Sequence, residues 1–386
     1  MANATWNTTG SGDYGLPSSW TDLLVPGGSD TAFFGTSSQT TISVGSNDVG
    51  GWTFEPWSSV YTFNLSAGST FRFLGDGITV NGGGLTINVN FVPGGPGGAT
   101  LSFFNHSTAG PATIANNGTV EFRDGSSAGH MTYVTGTVGD DIQLNFRDHS
   151  SAAAATITTG PLARTEFFDF ANAGAAALIT AGSEGSITGG IVDFSNSRGP
   201  GDNHQLTVGS IAGGGFYLLG ANRLIVGSDG HSTTVSGFIE DGGDGGGSGA
   251  SLVKVGHGTL TLSGADNSFS GGIRLEAGAL DLGAIGAAGP GAITFAGRAL
   301  LRIANAALSA HQFGNPIDAF ARHDVLDLTG LKFHHRASAT YHGASHHLAV
   351  HSGGVTDTLT LNSPHGTHFE ATNDGHGGTE VFLVFA

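Results

Sequence analysis

One pattern returns five times between Phe104 and Val208, and it limits the fold more than any other feature of the chain. The copies open at Phe104, Phe122, Phe146, Phe170 and Phe194, at spacings of 18, 24, 24 and 24 residues. The second and third are the most alike: Phe122, Arg123, Asp124 and Phe146, Arg147, Asp148, each followed closely by Ser-Ser-Ala. A run of small residues follows each opening, and then usually a short β-branched segment such as Thr156, Ile157, Thr158. A fixed period of 20–50 residues marks a solenoid. Each copy holds too few apolar residues to bury a core alone, but stacked copies share one. The expectation is a β-solenoid with one coil per repeat and Phe146 buried between Phe122 and Phe170. Sixteen coils of 24 residues would fill the 386 positions.

Composition narrows the reading. Glycine occupies 67 positions without a Gly-X-Y period, which excludes collagen and fits tight turns. Charged residues are only 11%, so Ser, Thr, Asn and Gly must form the surface. The net charge is −17 with no basic run. A nucleic-acid partner would need clustered Lys and Arg, and none is expected. No apolar run approaches the ~20 residues of a membrane helix, so no transmembrane segment is expected. The segment from Met1 to Trp6 has neither a charged nor an apolar region of a Sec signal. There is no cysteine, so stacking must hold the chain without disulfides.

Along the chain, residues 1–40 carry Trp6 and Trp20 and read as an N-terminal cap over an exposed core end. Residues 41–310 read as the solenoid, opening with short alternating strands such as Thr41 to Val44 and Leu85 to Val89. Residues 240–249 form a Gly/Asp loop containing one imperfect copy of a calcium-binding nonapeptide, so calcium is a candidate cofactor there. Leu260 and Leu262 alternate with Thr259 and Thr261, giving one apolar face. The stretch from Leu252 to Leu282 that contains them resembles the autotransporter-associated β-strand repeat of bacterial surface proteins. The Phe repeats and the Trp-rich start are similar to passenger domains of the same group. That resemblance implies a right-handed parallel β-helix.

Residues 311–386 differ in texture and read as a His-rich C-terminal β module. The stretch from Phe313 to Phe333 and the apolar end after Thr379 resemble the C-terminal modules of type I-secreted surface proteins, which implies an uncleaved C-terminal export signal. The chain has no room for an outer-membrane barrel after the passenger. Together the resemblances imply a secreted protein at the surface of, or outside, a Gram-negative cell.

Two patterns could carry chemistry. Asp124 and Asp148 recur at one place in successive repeats, with Glu166 and Asp169 nearby, as a lytic carboxylate pair or as turn residues bonding the backbone. Eleven of the 17 histidines lie at or beyond His311. His342, His346, His347 and His351 are candidate transition-metal ligands. Read as one strand, this stretch puts His342 and His346 on one face and His347 and His351 on the other. No Ser-His-Asp, Walker or nucleotide motif is present. The expectation is a structural protein, an adhesin or matrix-forming subunit that associates end to end or with surface glycans. The alternative is a polysaccharide-degrading or glycan-binding β-helix protein.

Overall fold

The computed structural model describes residues 3–7, 12–136, 141–182 and 188–384. The chain is nearly all β and builds about 13 stacked parallel coils, a β-solenoid. It divides into two compact units, residues 1–181 with 188–206, and residues 182–187 with 207–386.

In the first unit two parallel sheets run along the coils. One includes Thr70–Val80, Thr100–Phe103, Thr119–Phe122, Ile142–Phe146, Ala163–Asp169 and Ile191–Ser197. The other includes Thr41–Val44, Val60–Leu65, Gly84–Val89, Thr113–Asn116, Thr132–Thr135, Thr156–Thr159 and Ala177–Thr180. A third, narrower side is a line of single parallel bridges, Thr108 to Ser127 to Ser151 to Asn172. The small-residue runs belong there. Ala109, Ala128, Ala152 and Ala173 are fully buried where the coil turns too sharply for a larger side chain.

The core of this unit is a ring stack. Phe73, Phe103, Phe122, Phe146, Phe167 and Phe194 lie nearly parallel, with successive centroids 4.9, 4.7, 5.0, 4.9 and 4.8 Å apart. In-register pairing brings each ring over the last, at close to the spacing between adjacent strands. This corrects the repeat alignment at two coils. Phe146 is buried on Phe122 as expected, but its other neighbour is Phe167, and the first copy contributes Phe103 rather than Phe104. Phe104 and Phe170 are only half-buried. The ring-to-ring steps are therefore 19, 24, 21 and 27 residues from Phe103 to Phe194 (122−103, 146−122, 167−146, 194−167). Coil length varies because turns absorb insertions while the strands keep register, and sixteen equal coils do not form.

At the start of this unit Trp6 and Trp20 are buried and meet edge to face at 5.2 Å. Trp20 also meets Tyr14 at 4.9 Å.

The second unit replaces rings with aliphatic ladders. Leu224, Leu252, Ile273, Ile293, Ile317 and Leu361 pair in sequence, and Leu260, Leu280, Leu301 and Leu326 do the same on another sheet. Lys254 takes an inward place between Val226 and Leu275. Its ammonium is buried and donates to the carbonyls of Val255, Gly256 and Ala277 at 2.7, 3.2 and 3.3 Å, and burial lowers its pKa. Parallel pairing runs through Val325–Leu328 in one sheet and reaches Val355–Asn362 in the other. Beyond it two antiparallel hairpins join the sheets, Ser338–His342 with His347–Ser352, and Phe369–Asn373 with Thr379–Leu383. Among the described residues no helix is long and apolar enough to cross a membrane.

Candidate functional site

Asp124 and Asp148 do stack, and they form part of a longer line at the turn that closes the Phe strands. Asn105, Asp124, Asp148 and Asp169 all have positive φ, between 53° and 58°. Asn and Asp tolerate this conformation better than other residues with a Cβ. Each carboxylate reaches back one coil. Asp124 Oδ2 accepts from Asn105 N at 2.9 Å, Asp148 Oδ2 from Asp124 N at 3.0 Å, and Asp169 Oδ2 from Asp148 N at 3.4 Å. One oxygen of each therefore serves the backbone.

The neighbouring charges are paired as well. Glu121 lies between Arg123 and Arg147, at 2.7 and 3.1 Å, and the Arg147 guanidinium sits 3.9 Å above the ring of Phe168. Glu166 is buried and faces Arg164 at 3.2 Å, away from the turn line. Phe170 closes the stack on the outside, between His149 at 4.7 Å and Arg198 at 4.9 Å.

The histidines sit differently from the one-strand reading. Residues 343–346 turn the chain, with His346 at φ 58°, so His342 and His347 become direct cross-strand partners. Directly paired residues share a face. His342, His347 and His351 all occupy the exposed face of this hairpin, while Leu348 and Val350 fill the buried one. His351 lies four residues from His347, about 13 Å along the strand at ~3.4 Å per residue. Its Nδ1 meets Thr356 Oγ1 at 3.0 Å. The register thus sets His342 directly opposite His347, while His346 Nδ1 lies 3.4 Å from Tyr341 Oη.

The Gly/Asp loop is held by Asp241. Its Oδ2 accepts from Gly249 N at 3.0 Å and Ser270 Oγ at 2.6 Å, and its Oδ1 from Ala250 N at 2.8 Å and Ser270 N at 3.1 Å. Burial raises its pKa, but these bonds outweigh it and hold the carboxyl below its ordinary value. Donors occupy both oxygens, so the carboxylate works as a clasp for the loop.

A further acidic surface was not singled out in the sequence. A cleft of about 470 Å³ opens on the outer face of the second unit, lined by Asp281, Arg302, Asp327, Asp374, His376 and Glu380 among others. Four of these form one row across four strands: Asp281 pairs with Arg302, Arg302 with Asp327, and Asp327 with Glu380. Arg302 Nη1 meets Asp281 at 3.0 Å, while its Nε reaches Asp327 only at 3.5 Å. The Asp327 side chain is 9% exposed, and its Oδ1 is buried with no hydrogen-bond partner. Burial pushes its pKa up to about 6, and Asp374, Glu380 and Asp281 add to the shift against the pull of Arg302. The signal was present as three triplets with a charge between aliphatics: Leu280-Asp281-Leu282, Leu301-Arg302-Ile303 and Leu326-Asp327-Leu328. Alternation on paired strands puts the three charges on one outer row.

The fold and its outer surfaces define a parallel β-solenoid protein. Residues 252–282, which span the buried Lys254 and two pairs of stacked strands, match the passenger-associated-transport-repeat family. No curated protein and no solved structure matches the chain. An autotransporter passenger repeat within a β-solenoid fits a secreted passenger domain.

Proposed function

We propose that this chain is a structural component of a bacterial surface or extracellular matrix, serving as an adhesin or as a subunit of a fibre. The observation that carries the reading is the passenger-associated-transport-repeat at residues 252–282, laid on stacked parallel coils. The outer faces support it. In the first unit Thr41, Thr62, Thr86, Thr113, Thr132 and Thr156 form one in-register outward ladder. The surface Arg groups around Glu121 are paired rather than left for an anionic substrate. Such a surface suits repeated weak contacts with glycans or with other copies.

In this reading Trp6, Tyr14 and Trp20 cover one end of the core, the producing cell is Gram-negative, and residues 311–386 form a C-terminal module that carries the export signal. Polysaccharide cleavage at Asp124 and Asp148 fits less well, because each engages a carboxylate oxygen in a backbone hydrogen bond. The test is to delete the protein from its native host and score protease-accessible surface protein, attachment to glycan-coated supports and matrix formation. Lost attachment or matrix supports the structural role. Unchanged attachment and matrix, together with depolymerisation of a polysaccharide by the purified chain, would overturn it.

A further inference from the structure

We infer that the outer face around Val325 is a contact between two copies of this chain, related by a two-fold axis that sets the acidic side of one copy against the basic side of the other. The face belongs to the second unit and carries three rows. The first runs from Asp281 through Arg302 and Asp327 to Glu380. Two residues along the strands lies an apolar row. Leu300 pairs with Val325, and Phe382 stands opposite Val325, one step beyond the pair of Leu326 with Val381. Alternation puts these three on the same outer face as Arg302, Asp327 and Glu380, and each is half-buried. Glu370 pairs with Phe382 at the sheet edge. On the far side of the apolar row, the corners of two successive coils bring up Arg298, Arg322 and His323. They line a depression of about 400 Å³ together with Val325 and Phe382.

Charge is thus separated across the apolar row. Four carboxylates and one guanidinium line the cleft on the acidic side. The basic side holds two guanidiniums, His323 and a single carboxylate, Asp324. That carboxylate is buried and serves the backbone, accepting from Ala299 N at 3.4 Å through Oδ1 and from Ala321 N at 2.8 Å through Oδ2. Arg298 is exposed and, among the described residues, makes no hydrogen bond or ion pair. Arginines on neighbouring strands are paired, Arg274 with Glu276 and Arg302 with Asp281.

A ligand of one sign would use half of this face. A partner that answers all of it needs an apolar strip with a cation row on one side and an anion row on the other. An apolar centre with a polar rim is the usual anatomy of a protein interface. The face itself meets the requirement. A two-fold axis along the apolar row lays that row against its own copy and exchanges the acidic row with the basic one. An axis along the strands would instead put acid on acid. Such a contact uses the same patch on both copies and closes at two, so it is separate from end-to-end fibre growth and does not rest on it. The rows span four strands, about 14 Å, so the contact is small and the dimer should dissociate in the micromolar range.

The experiment is sedimentation of the full chain from about 1 to 200 µM. Physiological salt screens the long-range repulsion of two −17 chains beyond ~8 Å. Arg298→Glu and Glu380→Arg should each weaken the dimer at least tenfold. Arg223→Glu is the control, since Arg223 is an exposed and unpaired arginine of the same unit but outside this face. It should leave the dimer unchanged. Melting temperatures close to the parent's show that each variant folds, and Arg298, being exposed, carries the test alone if Glu380→Arg does not. An equimolar mixture of Arg298→Glu and Glu380→Arg should dimerise nearly as well as the parent, because the mixed pair restores opposite charges at both contacts. A monomeric parent, a dimer unmoved by Arg298→Glu, an equal effect of Arg223→Glu, a mixture of folded variants that stays monomeric, or growth beyond two copies through this face would each overturn the proposal. None of these results bears on attachment or matrix formation, so the two proposals fail separately.

Discussion

Phe146→Ala tests the ring stack at its middle. The phenyl is fully buried, with Phe122 5.0 Å on one side and Phe167 4.9 Å on the other, both within 8° of parallel. Truncation to a methyl removes on the order of 100 Å² of buried apolar surface, or ~2.5 kcal/mol at ~25 cal/mol/Å². Two ring contacts are lost, each worth ~0.5–1.5 kcal/mol. The register of both flanking coils is fixed by backbone pairing, so the cavity can collapse only partly. The sum agrees with the roughly 3–5 kcal/mol typical of a buried Phe→Ala change. Phe170→Ala is the internal control. Its ring is half-buried between His149 and Arg198, and its loss should cost under about 1.5 kcal/mol. All four tryptophans, Trp6, Trp20, Trp52 and Trp57, lie in the first unit, so tryptophan emission during guanidinium unfolding reports that unit alone. A cost below about 1 kcal/mol for Phe146→Ala, or a larger one for Phe170→Ala, would refute the stack as the main support of this unit.

Asp148→Asn should change stability by less than about 1 kcal/mol, because Asn keeps an acceptor and tolerates positive φ. Asp148→Ala should cost about 1–3 kcal/mol by losing both; equal denaturant midpoints for the two variants would remove the backbone role assigned to the carboxylate. Self-association should grow as pH falls from 8 toward the sequence pI of about 5.2, since the −17 charge fades and salt should mimic part of the effect; monodisperse light scattering across that range at low and high salt would end the fibre proposal. Residues 311–386 fused to a cytoplasmic reporter should carry it out of a cell equipped for type I export, and a reporter that stays inside would show that this module is not the signal.

The coil architecture was legible because stacking repeats the same need on every turn. Its phase was legible only in part. Phe103 stands beside Phe104, and Phe167 beside Phe168 with Phe170 close behind, so a ring is available on either face of the strand. Only pairing with the next coil decides which one turns inward, and a shift of one residue exchanges the faces. The histidine stretch failed for a related reason. Alternation from Ser338 to Ser352 continues on both sides of a four-residue turn, and the turn itself contains one glycine and a histidine in the left-handed region. The cleft was harder still, since its row draws on strands as far apart as Asp281 and Glu380. Its final member joins through an antiparallel return that no period announces.

Low charge in this chain follows from the stacking itself. In a parallel solenoid a side chain recurs about every ~4.8 Å up the same face. A carboxylate repeated on each coil would face its own copy at that distance, and repulsion would accumulate with length. The first unit resolves this in two ways. Its repeated aspartates bond backward to the backbone N–H of the coil before, at Asn105, Asp124 and Asp148. Its repeated arginines, Arg123 and Arg147, share Glu121 between them. Hydroxyls serve elsewhere: Thr108, Ser127 and Ser151 each accept from the backbone N–H two residues on. The row from Asp281 to Glu380 breaks this economy, with three carboxylates to one guanidinium and a buried oxygen left unbonded. The raised pKa of Asp327, about 6, is the consequence of that break: burial and the neighbouring carboxylates of Asp374, Glu380 and Asp281 outweigh the pull of Arg302.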